Sequence, residues 1–384
     1  MMMAGLQAMT MNMYLPALPR MAEHFGTTYG LIQLSVAVFL AANAVLQVVI
    51  GPISDRYGRR PVILVGIGLF LIATLGVIYA PSLEVFLLMR AGQSAIVTAM
   101  VLSRAIVRDI SPPDEAGSMI AYVTMGTALV PLVAPTIGGF LTNLYGWESS
   151  FWVLFGSGVL LLLVIWFDLK ETAPKSEFSL LSQWRNFPEL LTSKRFVGYA
   201  LSVTFASGAF FAYIGGSAYV GKTQFGLSEA TLGLYMGTPA LGYFFGNFFS
   251  GRYSRRFGIN RMILAGGIVA TIGITGALLL SAFGHSSVNI FFGAMVFLGF
   301  GNGLQLPNAI AGTLLVRPQL AGTAAGLGGS IMLAGGASIS AYAGTLLGGP
   351  SGEVPLLLLM TVMSLGAIVA ILTVMLREKR LGLA

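Results

Sequence analysis

Cysteine is absent from this 384-residue chain, and histidine occurs only twice, at His24 and His285, both between apolar runs. Without thiols there is no disulfide framework, thiolate nucleophile or cysteine zinc site. Two histidines leave little from which to build a transition-metal centre. Charge is scarce as well: 9% of residues are Asp, Glu, Lys or Arg, against roughly 25% in a soluble domain. The 14 acids are Glu23, Asp55, Glu84, Asp109, Asp114, Glu115, Glu148, Asp168, Glu171, Glu177, Glu189, Glu229, Glu353 and Glu378. Each lies in a connection or at the end of an apolar run, so no run carries a carboxylate at its centre. An enzyme working at membrane depth would need clustered His, Asp, Glu or Cys residues there, and the inventory excludes it.

What is present is apolar. Hydrophobic residues make up 56% of the chain, and the mean hydropathy is +0.84. Runs of about 20 apolar residues, each long enough to cross a hydrocarbon core as a helix, recur throughout. They fall at 1–18, 29–50, 61–80, 85–107, 116–141, 149–168, 196–220, 229–250, 261–283, 287–313, 319–347 and 353–376. The first is short: about 14 residues precede Leu15–Pro19, roughly 21 Å of helix against a core of about 30 Å. That shortness leads us to expect a trimmed or missing N-terminus. A polar stretch from Lys170 to Arg195 divides the runs equally. The expected organisation is an N-terminal bundle (1–169), a linker (170–195) and a C-terminal bundle (196–384).

The net charge of +7 is distributed by side. Eighteen of the 21 basic residues fall in the connections after even-numbered runs or in the tail, among them Arg56, Arg59, Arg60, Arg104, Arg108, Arg252, Arg255, Arg256 and Arg261. Only Arg20 and Lys222 lie on the opposite side, and Arg90 sits inside the fourth run. Basic residues mark cytoplasmic loops, so both termini are expected in the cytoplasm. The positive balance thus reports topology and is no nucleic-acid footprint.

The connection after the second run reads Gly51-Pro52-Ile53-Ser54-Asp55-Arg56-Tyr57-Gly58-Arg59-Arg60, and 200 residues later the chain reads Gly251-Arg252-Tyr253-Ser254-Arg255-Arg256-Phe257-Gly258. Gly, Ser, Arg and Gly recur at 51/251, 54/254, 56/256 and 58/258, and Arg255 takes the place of Asp55. An internal repeat at this spacing predicts a duplicated membrane bundle.

The 51–60 segment resembles the loop 2–3 signature of the major facilitator superfamily. Arg90-Ala91-Gly92-Gln93 is similar to that family's membrane-buried arginine motif. Gly126-x4-Pro131-x3-Pro135-x2-Gly138-Gly139 resembles the Gly/Pro motif of drug antiporters. Met13-Tyr14-Leu15-Pro16-Ala17-Leu18-Pro19, Arg104–Asp109 and Leu306-Pro307-Asn308-Ala309 look like the bicyclomycin/chloramphenicol resistance (Bcr/CflA) branch.

The resemblance implies an all-α membrane fold of twelve helices in two pseudo-symmetric six-helix bundles. It implies a monomer in the bacterial inner membrane that exchanges small hydrophobic or amphipathic drugs for protons by alternating access, with no cofactor. A metabolite carrier (sugar, amino acid or siderophore) of the same fold is the alternative. A channel fits less well, because duplicated bundles with charged hinges suit rocking rather than a fixed pore. In such a machine Gly51, Asp55, Arg56, Gly58, Arg59, Arg104, Arg108 and Asp109 form a cytoplasmic gate. There Asp55 faces a helix N-terminus near Gly322-Thr323 and Arg59 bridges Asp55 and Asp109. Gly126, Pro131, Pro135, Gly138 and Gly139 bend and pack the fifth helix against the eighth, where Gly242 and Gly246 offer a matching small face.

Arg90 is costly inside a bilayer, and such residues are functional by default. Its expected polar neighbours are Gln93, Asn12 and Gln47. A plainer alternative has it snorkelling to the surface. Position 12 is typically Asp in the family, and here it is Asn12. Either an introduced Asp→Asn change mimics the protonated state, or the amide is natural and coupling is lost or moved to a peripheral acid. A mid-depth substrate cavity is expected from Tyr14, Asn43, Gln47, Met125, Phe210, Tyr213, Tyr235, Met236, Asn302 and Gln305, an aromatic and Met-rich wall suited to varied drugs. For each aromatic or methionine taken singly, plain packing is the simpler role.

Overall fold

The computed structural model describes residues 2–110, 130–172, 187–317, 320–347 and 352–382. Every regular element among them is helical. Two compact units emerge, one formed by residues 1–184 with 228–233, the other by 185–227 with 234–384.

In the first unit the chain opens with α1 (Met2–Asn12), a 3-10 turn over Leu15–Ala17 and α2 (Leu18–His24). The first run therefore extends six residues further than its prolines suggest. Pro16 sits in the 3-10 turn and Pro19 in the first turn of α2, where a missing N–H goes unmissed. A turn at Met13–Tyr14 and the 3-10 segment separate the two short helices α1 and α2. His24 is the last residue of α2 rather than a loop residue, its ring against Phe25 and Trp147.

Next come α3 (Tyr29–Tyr57), α4 (Arg59–Ile78), α5 (Leu83–Gln93), a 3-10 stretch (Ser94–Ile96) and α6 (Val97–Ile110), then α7 (Val130–Tyr145) and α8 (Glu148–Asp168). Ser82 opens α5 by accepting a hydrogen bond from the Val85 N–H. The 3-10 stretch interrupts one apolar run immediately after Gln93, a local tightening that often accompanies a hinge. Pro135 lies inside α7 without ending it.

The second unit holds α9 (Phe187–Thr192), α10 (Lys194–Tyr219) with a π-helical extension over Val220–Gln224, the end of α11 from Leu234 on and all of α12–α16. These are α11 (Glu229–Met236), α12 (Thr238–Phe257), α13 (Ile259–Ala282), α14 (Val288–Leu315), α15 (Ala321–Thr345) and α16 (Val354–Arg380). The eighth apolar run is thus broken at Gly237 into α11 and α12. Around Phe196, Tyr199, Ile263 and Ile371, side chains of α10, α13 and α16 form one buried core.

Among the described residues, nine helical runs are long and apolar enough to cross a membrane. Their outward faces carry Leu69, Ile72, Ile272, Leu365 and Val369, apolar groups that a hydrocarbon solvent would cover.

The internal repeat is visible in the backbone. α3 ends at Tyr57 and α12 at Phe257, Gly58 and Gly258 follow with φ of +95° and +81°, and α4 and α13 start at the next residue. In both copies the glycine N–H donates to the serine carbonyl four residues back, at 3.0 Å for Ser54 and 2.9 Å for Ser254. Only glycine takes that φ without steric cost.

Gly242 and Gly246 pack against α14. A Cβ at either would strike the α14 backbone at Val296, Phe300 or Gly303, and Gly299 and Gly303 return the approach toward Pro239 and Tyr243. These small residues bring α12 and α14 into backbone contact. Within the first unit, α7 instead meets the 228–233 segment. Gly139 faces the Glu229 backbone, Gly233 faces Pro135, and the Thr136 hydroxyl donates to the Gly233 carbonyl at 3.3 Å. Gly138 packs on the Met13 carbonyl.

Candidate functional site: a buried arginine in an aromatic box

α5 carries Arg90 into the first unit, where it is fully buried. The guanidinium lies 4.2 Å from the Tyr14 ring centroid, 4.8 Å from that of Phe39 and 5.9 Å from that of Phe151. A cation over aromatic faces gains from the ring quadrupole, more so where water is excluded. Nη1 donates to Gln93 Oε1 at 2.5 Å, Gln93 Nε2 to Thr74 Oγ1 at 2.8 Å, and Thr74 Oγ1 to the Phe70 carbonyl at 2.7 Å. Full burial excludes a snorkelling arrangement.

Of the three polar neighbours expected for Arg90, Gln93 is the one it meets. Asn12 donates from Nδ2 to the Ala8 carbonyl at 2.8 Å, one turn back in its own helix. Gln47 is half-buried, and its Oε1 has no hydrogen-bond partner. Arg90 Nε and Nη2 are buried without a partner, and among the described residues no carboxylate pairs with the cation. Two desolvated N–H donors on a fixed charge, above rings from three separate segments, can hold an acceptor or anion that enters beside them.

The other sequence-derived candidates fall in two places. In the first unit Tyr14 is fully buried, its hydroxyl 3.2 Å from Ser35 Oγ. Asn43 is equally buried with both amide atoms unpaired. In the second unit Phe210 stacks on Tyr213 with centroids 6.3 Å apart, and the Tyr213 hydroxyl donates to the Met236 carbonyl at 3.2 Å. Tyr235 lies 5.1 Å from Phe292 and reaches Asn289 Oδ1 at 3.3 Å. The structure therefore gathers Phe210, Tyr213, Tyr235 and Met236 into one aromatic cluster around Phe292. Asn302 and Gln305 are buried, each with an unpaired oxygen. Gln305 lies against the Gly266 and Gly267 face of α13, an inter-helix position. Met125 and Gly126 lie outside the described residues.

At the 51–60 turn, Arg59 is buried and its Nη1 donates to Ser54 Oγ. Gly51 has open space around its Cα, and the exposed Arg56 stacks on Tyr57 at 5.4 Å. The side chains of Asp55, Arg104, Arg108 and Asp109, and that of Gly322, are outside the described set. Pro131 occupies the first turn of α7 as described.

No sequence pattern singles out Glu171. Oε1 accepts from the Arg59 N–H at 2.8 Å and Oε2 from the Arg60 N–H at 3.2 Å, so a carboxylate caps the N-terminus of α4 where the helix dipole favours an anion. Arg60 returns to the same segment, donating to the Leu169 and Trp166 carbonyls at 2.8 Å each.

The second unit has a counterpart in Glu378, near the end of α16. Oε1 accepts from Arg195 Nε at 2.9 Å and from the Tyr199 hydroxyl at 3.2 Å, and Oε2 accepts from Asn260 Nδ2 at 2.5 Å. In the first unit an acid just past α8, and in the second an acid near the end of α16, ties down the helix that follows the repeat turn. Both acids were visible only as charges at run ends.

A helical membrane protein with two compact units, a duplicated Gly-Ser-Arg-Gly turn and a buried arginine is a carrier by architecture. The chain belongs to the Major Facilitator Superfamily, whose family model matches residues 1–341 and, in a second match, 202–382. It is a membrane transporter and not an enzyme. It is 34% identical over 258 residues to "Uncharacterized MFS-type transporter YdgK" of Bacillus subtilis, covering 66% of this chain and 64% of that one. To "Multidrug resistance protein D" of Escherichia coli it is 29% identical over 362 residues, 93% of this chain and 90% of the relative. To "Chloramphenicol resistance protein" of Pseudomonas aeruginosa it is 31% identical over 325 residues, 83% and 76% of the two chains. Among solved structures, a bacterial homolog of the human lysosomal transporter Spinster superposes with a TM-score of 0.75 at 16% identity, covering 98% of this chain and 95% of that one. That likeness speaks for the fold alone.

Proposed function

We propose that this chain exports small hydrophobic or amphipathic drugs from the bacterial cytoplasm across the inner membrane, as a monomer working by alternating access. The similarity to proteins named for multidrug and chloramphenicol resistance supports the substrate class. The observation that carries the mechanism is Arg90, a buried cation with two unpaired N–H groups and no described counter-ion. A cation held this way favours an acceptor or anion in one state of a transport cycle and is left short of partners in another. The aromatic cluster of Phe210, Tyr213, Tyr235 and Met236, with Tyr14 and Asn43, is the proposed drug-contacting set.

In this proposal residues 1–169 and 196–384 are the two rocking bundles and 170–195 their cytoplasmic linker. Gly51, Asp55, Arg56, Gly58, Arg59, Arg104, Arg108 and Asp109 are the cytoplasmic gate, and Gly138 and Gly139 of the Gly/Pro motif seal a helix interface. Protons are the proposed counter-substrate, and Asn12 holds the coupling position in a form that cannot ionise. Replacing it with Asp restores a titratable group. In inverted vesicles, Asn12→Asp is expected to make drug uptake depend on an imposed pH gradient. No gradient dependence in that variant sinks proton coupling at this position. Drug-sensitive cells expressing the chain should tolerate more chloramphenicol; unchanged tolerance to a panel of hydrophobic drugs would favour the metabolite-carrier alternative.

A further inference from the structure

On the second unit, α12, α13 and α14 enclose a groove of about 340 Å³ lined by Phe249, Tyr253, Phe257, Arg261, Ala265 and Phe300, with Met262 and Leu304 at its floor. Phe249, Tyr253 and Phe257 follow one another at four-residue spacing, so they form a single ridge along α12. Phe249 and Tyr253 stack with centroids 5.9 Å apart, and Phe300 closes on Phe249 at 5.7 Å. One end of the groove opens at Arg261, beside the 251–258 turn. The other lies two turns along α12, roughly 12 Å deeper into the apolar layer.

The mouth of the groove is strongly basic. Arg252, Arg255, Arg256 and Arg261 surround the turn, and no acid occurs between Glu229 and Glu353. Arg252, Arg255 and Arg261 are exposed and make no hydrogen bond or ion pair among the described residues. Arg256 only covers Phe257, at 5.6 Å. The adjoining carboxylate, Glu378, is already engaged by Arg195, Tyr199 and Asn260. An apolar trench entering the hydrocarbon layer beneath uncompensated guanidinium groups matches an amphiphile with an anionic head and an alkyl tail.

We propose that this groove binds an anionic phospholipid from the leaflet on the side of the basic loops, its phosphate at Arg261 and one acyl chain along Phe249, Tyr253 and Phe300. Basic pockets between membrane helices recognise anionic headgroups in this way. A lipid seated there contacts α12, α13 and α14, the first three helices after the Gly237 break. The site is separate from the proposed drug-contacting residues and stands or falls independently of what the chain exports.

Native mass spectrometry of the purified full chain tests it, using phosphatidylglycerol and phosphatidylcholine with identical acyl chains. The unaltered protein is expected to retain phosphatidylglycerol about fivefold more tightly, the effect of one near-surface arginine. Arg261→Gln should bring the ratio toward one. Ala265 is exposed on the groove wall, so Ala265→Phe fills the trench without disturbing a core. It should lower occupancy by both lipids while leaving the unfolding temperature unchanged. Equal retention of the two lipids by the unaltered chain overturns the proposal. So does a preference that survives Arg261→Gln, or an occupancy by both lipids that Ala265→Phe leaves unchanged, which would mean loose attraction to the basic loop rather than a seat in the groove.

Discussion

Arg90 holds three opposing energies at one residue. Taking an ion out of water costs several kcal/mol even after relaxation. A desolvated cation–π contact returns about 2 kcal/mol, and a hydrogen bond made by a charged group about 1.5–3 kcal/mol. With Tyr14 and Phe39 beneath the guanidinium and Gln93 accepting a hydrogen bond from it, these sums nearly cancel. Arg90→Met is therefore expected to move unfolding stability by no more than about 2 kcal/mol, while abolishing export. Arg90→Lys keeps the charge but not the planar stack, and should also be inactive. Thermal unfolding in detergent and drug tolerance in cells read the two effects separately. A strongly destabilised Met variant that still exports would make Arg90 a structural residue. The arginine itself was legible in sequence, as a lone charge inside an apolar run. Its box was not, because Tyr14, Phe39 and Phe151 come from three segments whose register only packing sets.

Helix against helix, small residues decide the geometry. α12 and α14 touch backbone to backbone through Gly242, Gly246, Gly299 and Gly303, and nothing in that contact can yield as a flexible side chain would. Gly242→Ala should cost about 1–3 kcal/mol through overpacking. Gly276→Ala on α13, where a Cβ meets nothing within 4 Å, should be neutral or slightly stabilising. Unfolding temperatures of the two variants make the comparison, and equal effects would refute close packing as the reason for Gly242. Sequence alone marked Gly242 and Gly246 as a packing face but gave no sign of α14 as a neighbour. A Gly-x3-Gly spacing specifies a flat face and says nothing about which helix arrives. The same limit explains Glu171 and Glu378: an acid at a run end looks alike whether it meets water or caps another helix. Pro16 and Pro19 need not end the first run, since a proline at a helix start costs no backbone hydrogen bond.

Across the whole molecule, the uneven placement of basic residues predicts one orientation in the bilayer. The absence of cysteine makes that directly testable by single-cysteine labelling with a membrane-impermeant thiol reagent. Arg255→Cys should react only when the cytoplasmic face is exposed, and Lys222→Cys only from outside. Labelling of both from the same side would overturn the topology.

The linear chain was enough to settle that this protein lives in a membrane, that its halves are duplicated, and that a glycine turn at 58 and at 258 joins two helices in each. Those features depend on solvent, on chain period and on local backbone sterics, all of which act over a few residues at a time. Which aromatic rings cradle Arg90, which helix meets Gly242, which acid caps α4 and where a groove opens beside Arg261 came from the tertiary structure. Each depends on distant segments competing for the same space, and local pattern cannot rank those competitors.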